Sequence, residues 1–195
     1  MARASVLIPA AKILQPYRQG HASSLCGIYA LLNAIQLVLW PRHKLMPSQL
    51  KKLFGSAVQH LEQSRGLASI LGHGIDEAAW LDLNRALIKQ ASALTGACIC
   101  RRFILRRRSN LTGRSAVASI KQQLRNNRPV LVILWGAYDH VTVFVGYNRG
   151  RLMLFDSSGF SWINEASVGL LHPSSSKRHQ VTRRTVVALS LEDPW

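Results

Sequence analysis

The most constraining feature of this sequence is a change in hydrophobic pattern near residue 95. Before that point, apolar residues recur at helical spacing and predict helices over 25–39, 48–64 and 74–94. Beyond it, the apolar runs are short or alternating, which predicts strands. The pattern therefore predicts an α+β fold in which a helical N-terminal lobe of about residues 1–95 packs on an antiparallel β-sheet lobe of about residues 96–195, with a cleft between them.

The second half carries five runs typical of strands and one amphipathic helix. The uninterrupted apolar run 129–135 predicts a buried strand, because it is bounded by Pro and Gly. The other predicted elements are strands at 97–105, 140–147, 151–156 and 181–191, and a helix at 115–126. We interpret the successive alternating runs as an antiparallel meander.

Length and composition indicate a single domain spanning 1–195, because 195 residues of which 48% are hydrophobic suffice to bury one core. No run reaches the roughly eighteen uncharged apolar residues of a membrane span, so we expect a soluble protein. Pro9 and Lys12 interrupt the short apolar stretch near the start, and we expect no signal peptide. Three cysteines cannot complete a set of disulfides, which favours a reducing, cytoplasmic setting.

The formal net charge of +16 is the most unusual bulk property of the chain. Basic residues concentrate at Arg101–Arg102, in the segment 106–110 and from Lys177 to Arg184. Such clusters attract nucleic acid or an acidic protein partner, but they equally suit solvated loops and strand faces. Charge alone therefore leaves both interpretations open.

The segment 19–35 carries the most informative chemistry of the first half. Ser23 or Ser24 is placed to cap an apolar helix, which puts Cys26 in its first turn. There the helix dipole and the free N–H groups stabilise a thiolate relative to a thiol. The helix is apolar nearly all round, so its burial would hold Cys26 rigidly at the mouth of a cleft, and Gly27 would let a substrate approach closely.

A free cysteine is more often a small apolar core residue than a nucleophile. Cys26 becomes a candidate nucleophile because a histidine and a carboxylate follow it in the order that thiol catalysis requires. His140 opens the predicted strand 140–147, and Asp156 closes the predicted strand 151–156. These two residues are therefore the candidate base and its orienting partner.

The turn between these two strands decides whether His140 and Asp156 can meet. If residues 148–150 form a three-residue loop, Thr142 pairs with Asp156. His140 then lies on the same face as Asp156, diagonally across at about 7–8 Å between backbones. A two-residue loop would shift the pairing by one and send the two side chains to opposite faces.

Other histidines and cysteines are weaker candidates. His21 lies close to the nucleophile in sequence and equally suits a residue of the substrate cleft, whereas His172 and His179 fall in a basic, serine-rich stretch. Cys98 and Cys100 are alternate residues of a predicted strand without zinc spacing, so we interpret them as strand packing. We expect no metal and no cofactor.

Two motifs together resemble the papain-like cysteine peptidases. The run 140–147 ends in Val-Gly-Tyr and is followed by Asp-Ser-Ser-Gly at 156–159. That arrangement is similar to the strand of the catalytic histidine and the Asn-Ser-x-Gly motif of the superfamily, with Asp156 in the place of Asn. The helix that begins near Cys26 is similar to the nucleophile helix of Josephin-type deubiquitinases and of bacterial leader peptidases that cut after double glycine. The resemblance covers about residues 15–159.

The resemblance implies a papain-like fold with the active site between the lobes and a triad of Cys26, His140 and Asp156. It also implies an upstream glutamine as oxyanion donor, for which Gln19 is the candidate. The spacing from Gln19 to the cysteine is one residue longer than in papain, and Gln15 or a backbone group is the alternative.

The implied activity is hydrolysis of a peptide or isopeptide bond in a protein or peptide substrate. The same residues would serve a glutamine deamidase or a transglutaminase-like effector. The non-catalytic alternative is a basic binding module for nucleic acid or an acidic partner.

Overall fold

The computed structural model describes residues 5–20, 24–106 and 110–192, and it has the expected α+β character of helices combined with a mainly antiparallel sheet. The helices are α1 (Ala10–Ile13), α2 (Cys26–Leu39), α3 (Pro47–Arg65), α4 (Leu67–His73), α5 (Glu77–Thr95) and α6 (Gly113–Arg125). The strands are β1 (Val6–Leu7), β2 (Cys98–Phe103), β3 (Val130–Gly136), β4 (His140–Asn148), β5 (Arg151–Leu154), β6 (Trp162–Asn164), β7 (Val168–Leu170), β8 (His179–Val181) and β9 (Val187–Glu192).

The main sheet has the strand order β2-β9-β3-β4-β5-β6. Strands β3 to β6 are consecutive antiparallel neighbours, so the predicted meander is present. Strand β9 returns from the far end of the chain and lies between β2 and β3. Strand β1 pairs with β4, and the parallel pair β7–β8 joins the sheet through β3.

Helix α2 lies at the centre of the core, against β4 and β9 on one side and against α3 and α5 on the other. Its apolar residues cover the whole circumference, and side chains such as Ile28, Leu31 and Ile35 are fully buried. A helix that is apolar all round is stable only when it is enclosed in this way. The enclosed helix therefore fixes the position of its first residue, Cys26.

The helix predicted at 74–94 is α5, which runs from Glu77 to Thr95, whereas the short helix α4 (Leu67–His73) before it was not predicted. Gly74 has a φ of 78°, which ends α4 because this left-handed region favours glycine. Asp76 then caps α5 by accepting a hydrogen bond from the Ala79 N–H at 2.8 Å. The predicted boundary missed the Asp76 cap.

The strand predicted at 181–191 is interrupted and spans the end of β8 and most of β9. β8 ends at Val181 and β9 begins at Val187, with Thr182–Val186 between them. The short strands β1, β6 and β7 were not predicted, because two or three residues carry too little alternation to be distinguished from loops. Within the described residues, no helix combines the length and apolar character that crossing a bilayer requires.

Candidate active site

Cys26 is the first residue of α2 and is partly exposed, so its thiol is not sealed in the interior. The cap position is occupied by Leu25, and the Ser24 hydroxyl donates instead to the Leu71 carbonyl oxygen at 2.9 Å. The prediction that Ser24 caps this helix is therefore wrong, and Ser23 lies outside the described residues. The first-turn N–H groups still surround the thiol with positive partial charge.

Gly27 was expected to leave room for a substrate, and the structure corrects this expectation. A Cβ added at Gly27 would lie 2.9 Å from Cδ1 of Ile75 and 3.2 Å from Cδ1 of Trp80. The space beside Gly27 is thus filled by side chains that pack on α2. The glycine serves the packing of the helix that carries Cys26.

His140 and Asp156 are joined by a hydrogen bond of 2.7 Å between His140 Nε2 and Asp156 Oδ2. Both residues are buried, at 7% and 2% exposure respectively. The other carboxylate oxygen, Oδ1, accepts the N–H groups of Ser158 at 2.8 Å and Phe160 at 3.3 Å. Three donors therefore fix the carboxylate, which in turn fixes the plane and orientation of the imidazole ring.

The Cys26 side chain lies close enough to the same imidazole to contribute to the raised pKa of His140. Because Nε2 is used by Asp156, Nδ1 is the ring nitrogen left to face the sulfur. The fold thus brings Cys26, at the start of α2, close to His140, at the start of β4, although the two residues come from opposite halves of the chain. The three residues predicted from the sequence lie in one connected array.

The charges of His140 and Asp156 stabilise each other. Burial alone would lower the pKa of His140, but its hydrogen bonds and charge interactions with Asp156 and Cys26 outweigh burial and raise the pKa from 6.5 to about 9. For Asp156, burial works to raise the pKa, and the hydrogen bond and charge of His140 hold it below its usual range. At neutral pH the pair is therefore imidazolium and carboxylate, an arrangement that complements a thiolate on Cys26.

The β4–β5 hairpin brings His140 and Asp156 together with a different turn from the predicted one. Asn148 pairs with Arg151, so the loop has two residues rather than three. Arg149 and Gly150 have φ values of 46° and 80°, as a type I′ turn requires. On its own, such a loop would have placed His140 and Asp156 on opposite faces.

A β-bulge between Phe144 and Gly146 restores the register that the site needs. Beyond the bulge Phe144 pairs with Leu154, and the Phe155 N–H donates to the Val143 carbonyl at 2.9 Å. Continuing this pairing places Thr142 opposite the carboxylate residue, as predicted. The extra residue therefore lies within β4 instead of the turn, and the bulge re-aims the side chains at the end of the hairpin.

Strand β1 holds the bulge in place. The Ile8 N–H donates to the carbonyl oxygen of Val145, the bulged residue, at 2.9 Å. Next to it, a Cβ on Gly146 would collide with the Val6 carbonyl oxygen and lie 2.9 Å from Leu7 Cα. Only glycine lets β1 approach this closely.

Gln19, the candidate oxyanion donor, lies beside the loop that follows Asp156. Its backbone N–H donates to the Ser157 carbonyl at 3.1 Å, and its Nε2 donates to Ser158 Oγ at 2.7 Å. An amide Nε2 carries two hydrogens, so one donor is left for a ligand. The side chain is held by the same loop that orients the carboxylate.

Gln15, the alternative donor, is exposed, and its backbone carbonyl accepts Gln36 Nε2 at 3.1 Å. Two buried polar residues of α2 anchor this segment. Asn33 accepts the Tyr17 N–H at 2.7 Å and donates to the Tyr17 carbonyl at 3.3 Å, while Gln36 donates to Asn33 at 3.1 Å. The buried amides thus fix the segment that leads to Gln19.

Sequence reasoning did not identify the aromatic residues around the histidine. The Phe160 ring meets the His140 ring edge-on at 5.7 Å and stacks on Tyr138 at 4.5 Å between ring centroids. Tyr138 also contacts His179 at 4.7 Å, and His179 is buried with its pKa lowered by burial and by the charge of Arg178. These rings shield one side of the buried ion pair from water. The position of Phe160 after the Asp-Ser-Ser-Gly motif was the signal that could have found it.

His21 and the basic residues Arg107 and Arg108 lie outside the described residues. Arg101 and Arg106 both lie over the Phe103 ring, at 5.5 and 5.9 Å from its centroid. This part of the basic cluster is organised around an aromatic side chain.

The interpretation of Cys98 and Cys100 as strand packing is only partly correct. Cys98 is exposed and Cys100 is half-buried, and both face away from the buried Ile99 between them. Their sulfur atoms and a carboxylate oxygen of Glu192 lie within 4.8 Å of one another. Sequence spacing alone could not reveal Glu192, because it comes from β9.

Comparison with known protein families and with curated proteins finds no match to this chain.

Proposed function

We propose that this chain is a papain-like cysteine hydrolase that cleaves a peptide or isopeptide bond with Cys26, His140 and Asp156. The observation that carries the proposal is the His140 ring, which is hydrogen-bonded to the Asp156 carboxylate through Nε2 and lies close enough to the Cys26 side chain for Cys26 to contribute to its raised pKa. A nucleophile, a base and an orienting carboxylate within hydrogen-bond reach are what thiol catalysis requires.

In the first half of the proposed reaction, Cys26 Sγ attacks the substrate carbonyl carbon and forms a C–S bond. The negative charge that develops on the carbonyl oxygen is stabilised by N–H groups at the start of α2 and by Gln19 Nε2. The C–N bond breaks as the protonated His140 gives its proton to the leaving amine. The products of this half are the free amine and a thioester on Cys26.

In the second half, water attacks the thioester while His140 accepts its proton. The C–S bond breaks and releases the carboxylic acid, and the departing Cys26 thiolate and the His140 imidazolium re-form the ion pair. Asp156 keeps the ring aligned in both halves and stabilises its charged form. Because His140 and Asp156 are both buried, the interaction between their charges is stronger than it would be in water.

The first experiment tests whether Cys26 is an activated thiol. Wild type and His140→Ala are treated briefly with iodoacetamide at about pH 6, where an ordinary thiol is mostly protonated and slow to react. Mass spectrometry of the peptides then gives the labelling rate of each cysteine. We expect fast labelling of Cys26 in the wild type and slow labelling in His140→Ala. The exposed Cys98 serves as an internal reference, with equal labelling in both proteins.

A second experiment tests the reaction class. Wild type and Cys26→Ala are incubated with a protein lysate, and new amino termini and deamidated glutamines are compared. New termini that require Cys26 support the peptidase. Conversion of glutamine to glutamate without new termini indicates the deamidase, and no Cys26-dependent product combined with slow Cys26 labelling contradicts an enzymatic role.

A further inference from the structure

A second group of chemically reactive side chains lies on β2 and β9, away from the triad. Cys98 and Cys100 are separated by one residue on β2 and therefore point to the same face. Glu192 pairs directly with Cys98 across the antiparallel ladder, and directly opposite residues share a face. The backbone register alone thus places two thiols and one carboxylate together.

The distances and exposure suit a metal ion. One ligand atom from each residue lies within 4.8 Å of the others. Zinc binds thiolate sulfur at about 2.3 Å and carboxylate oxygen at about 2.0–2.2 Å, so small side-chain rotations bring all three into a coordination shell. Cys98 and Glu192 are exposed, which leaves the site open to solvent from one side.

A disulfide is the less favourable use of this pair. Alternate residues of a strand have Cα atoms about 6.6 Å apart, which is at the upper limit of the usual disulfide range. A metal ion between the two sulfurs does not require the two Cα atoms to lie within that range. The β2–β9 ladder, paired from Cys98 to Phe103, holds the strand in this extended form.

Within the described residues, no basic side chain forms an ion pair with Glu192 and so competes with a cation. The chain has 25 lysines and arginines but only 9 aspartates and glutamates. In the part of the chain that the structure describes, Asp76, Asp82, Asp156 and Glu165 pair with lysine, arginine or histidine, whereas Glu192, like Glu62, Glu77 and Asp139, forms no ion pair. Its neighbours are instead the two thiols.

We propose that Cys98, Cys100 and Glu192 bind a borderline-soft divalent cation such as Zn²⁺ at the edge of the sheet. Two thiolates and one carboxylate form a ligand set that zinc accepts, with the fourth position of the tetrahedron open to water. The bound ion clamps the edge strand β2 to β9. The site is independent of the proposed peptidase activity.

The test uses Co²⁺ as a spectroscopic probe with the reduced full chain. Wild type is expected to bind one Co²⁺ with a thiolate-to-cobalt charge-transfer band in the near ultraviolet. The band is expected to vanish in the Cys98→Ser/Cys100→Ser double variant and to persist in Cys26→Ala. In Glu192→Gln the band is expected to persist with a raised Kd, because one charged ligand has been lost.

Three outcomes overturn the proposal: no band in the wild type, a band that survives in the double variant, or a band that is lost in Cys26→Ala. An unchanged Kd in Glu192→Gln likewise removes the carboxylate from the site and overturns the three-residue ligand set. Circular dichroism and iodoacetamide labelling of Cys26 check that the double variant is folded. As a second readout, Zn²⁺ should raise the Tm of the wild type and leave that of the double variant unchanged.

Discussion

The protonation state of His140 is the residue-scale property on which the proposed chemistry depends. Hydrogen bonding and charge interactions with Asp156 and Cys26 outweigh burial and raise the pKa of His140 to about 9. A raised pKa means that the charged form persists through neutral pH and is lost only as the pH rises through about 9. The proton that the leaving amine needs is therefore present across the physiological range, and hydrolysis should decline on the alkaline side.

We predict that the His140 ring titrates near pH 9 in the wild type and at a lower pH in Asp156→Asn. An asparagine retains a hydrogen-bond acceptor but removes the negative charge that favours the imidazolium. The measurement is the ring-proton chemical shift of His140 against pH by NMR. Circular dichroism of the two proteins checks that both are folded. A wild-type midpoint at or below the ordinary 6.5 would contradict the ion pair.

Asn33 gives a second prediction at this scale, because a buried amide holds the segment before Gln19. Asn33→Ala leaves the Tyr17 N–H without its acceptor, and we expect a loss of about 1–3 kcal/mol in the free energy of unfolding. Urea denaturation measures this loss. Gln59→Ala, an exposed polar position of α3, is the control and should stay within about 0.5 kcal/mol of wild type. Equal effects at the two positions would argue against an anchoring role.

At the scale of elements, the close approach of β1 to β4 is the contact most sensitive to a single methyl group. Gly146→Ala should destabilise the protein by about 1–3 kcal/mol, because the added Cβ collides with backbone that cannot rotate away. Amide hydrogen exchange at Ile8, which donates to the bulge, should become faster.

Gly55 is the matched control for this substitution. It lies inside α3, and an added Cβ there meets nothing within 4 Å. Gly55→Ala should therefore stabilise the protein by about 0.5–1 kcal/mol, the ordinary gain from alanine in a helix. Opposite signs for the two substitutions support the steric account, and a neutral Gly146→Ala would refute it.

The long elements could be predicted from the sequence because their own residues determine them. Helix α2 and strand β3 each have a periodicity that a single segment reveals, and the order of Cys26, His140 and Asp156 indicated the array. Helix α4 was not predicted, because its seven residues between Gly66 and Gly74 are too few to establish a helical period. The assignment of catalytic roles to these residues stays a prediction.

The rest of the site could not be predicted, because it depends on contacts between distant segments. The bulge in β4 is fixed by β1, whose two residues carry no pattern of their own. Phe160 reaches His140 only through the loop geometry after Asp156. Glu192 joins Cys98 only because β9 returns from the far end of the chain to pair with β2. Long-range pairing of this kind leaves no local periodicity in the sequence.

At the scale of the whole molecule, the charge of +16 opposes compaction through self-repulsion. We predict that the Tm rises as KCl is added, because salt screens the repulsion between exposed charges. An uncharged osmolyte at matched osmolality is the control for excluded-volume effects. A Tm that is independent of salt would show that the basic clusters are too dispersed to repel one another.

The same charge predicts binding to polyanions that is separate from the triad. Affinity for a single-stranded oligonucleotide should fall steeply and linearly on a log–log plot against salt, with the same slope in wild type and Cys26→Ala. Fluorescence anisotropy measures this slope. A flat salt dependence would remove nucleic acid from the partners that the charge suggests.

The contact between Ile8 and the bulge has a consequence for the intact chain. Since a backbone hydrogen bond from β1 holds the bulge that sets the register of the hairpin, a proteolytic cut before Pro9 would separate β1 from the chain and weaken that restraint. The clipped protein could then exchange between two strand alignments, only one of which keeps the imidazole and the carboxylate on a common face. Such a cut would abolish the proposed activity without removing any residue that takes part in the reaction.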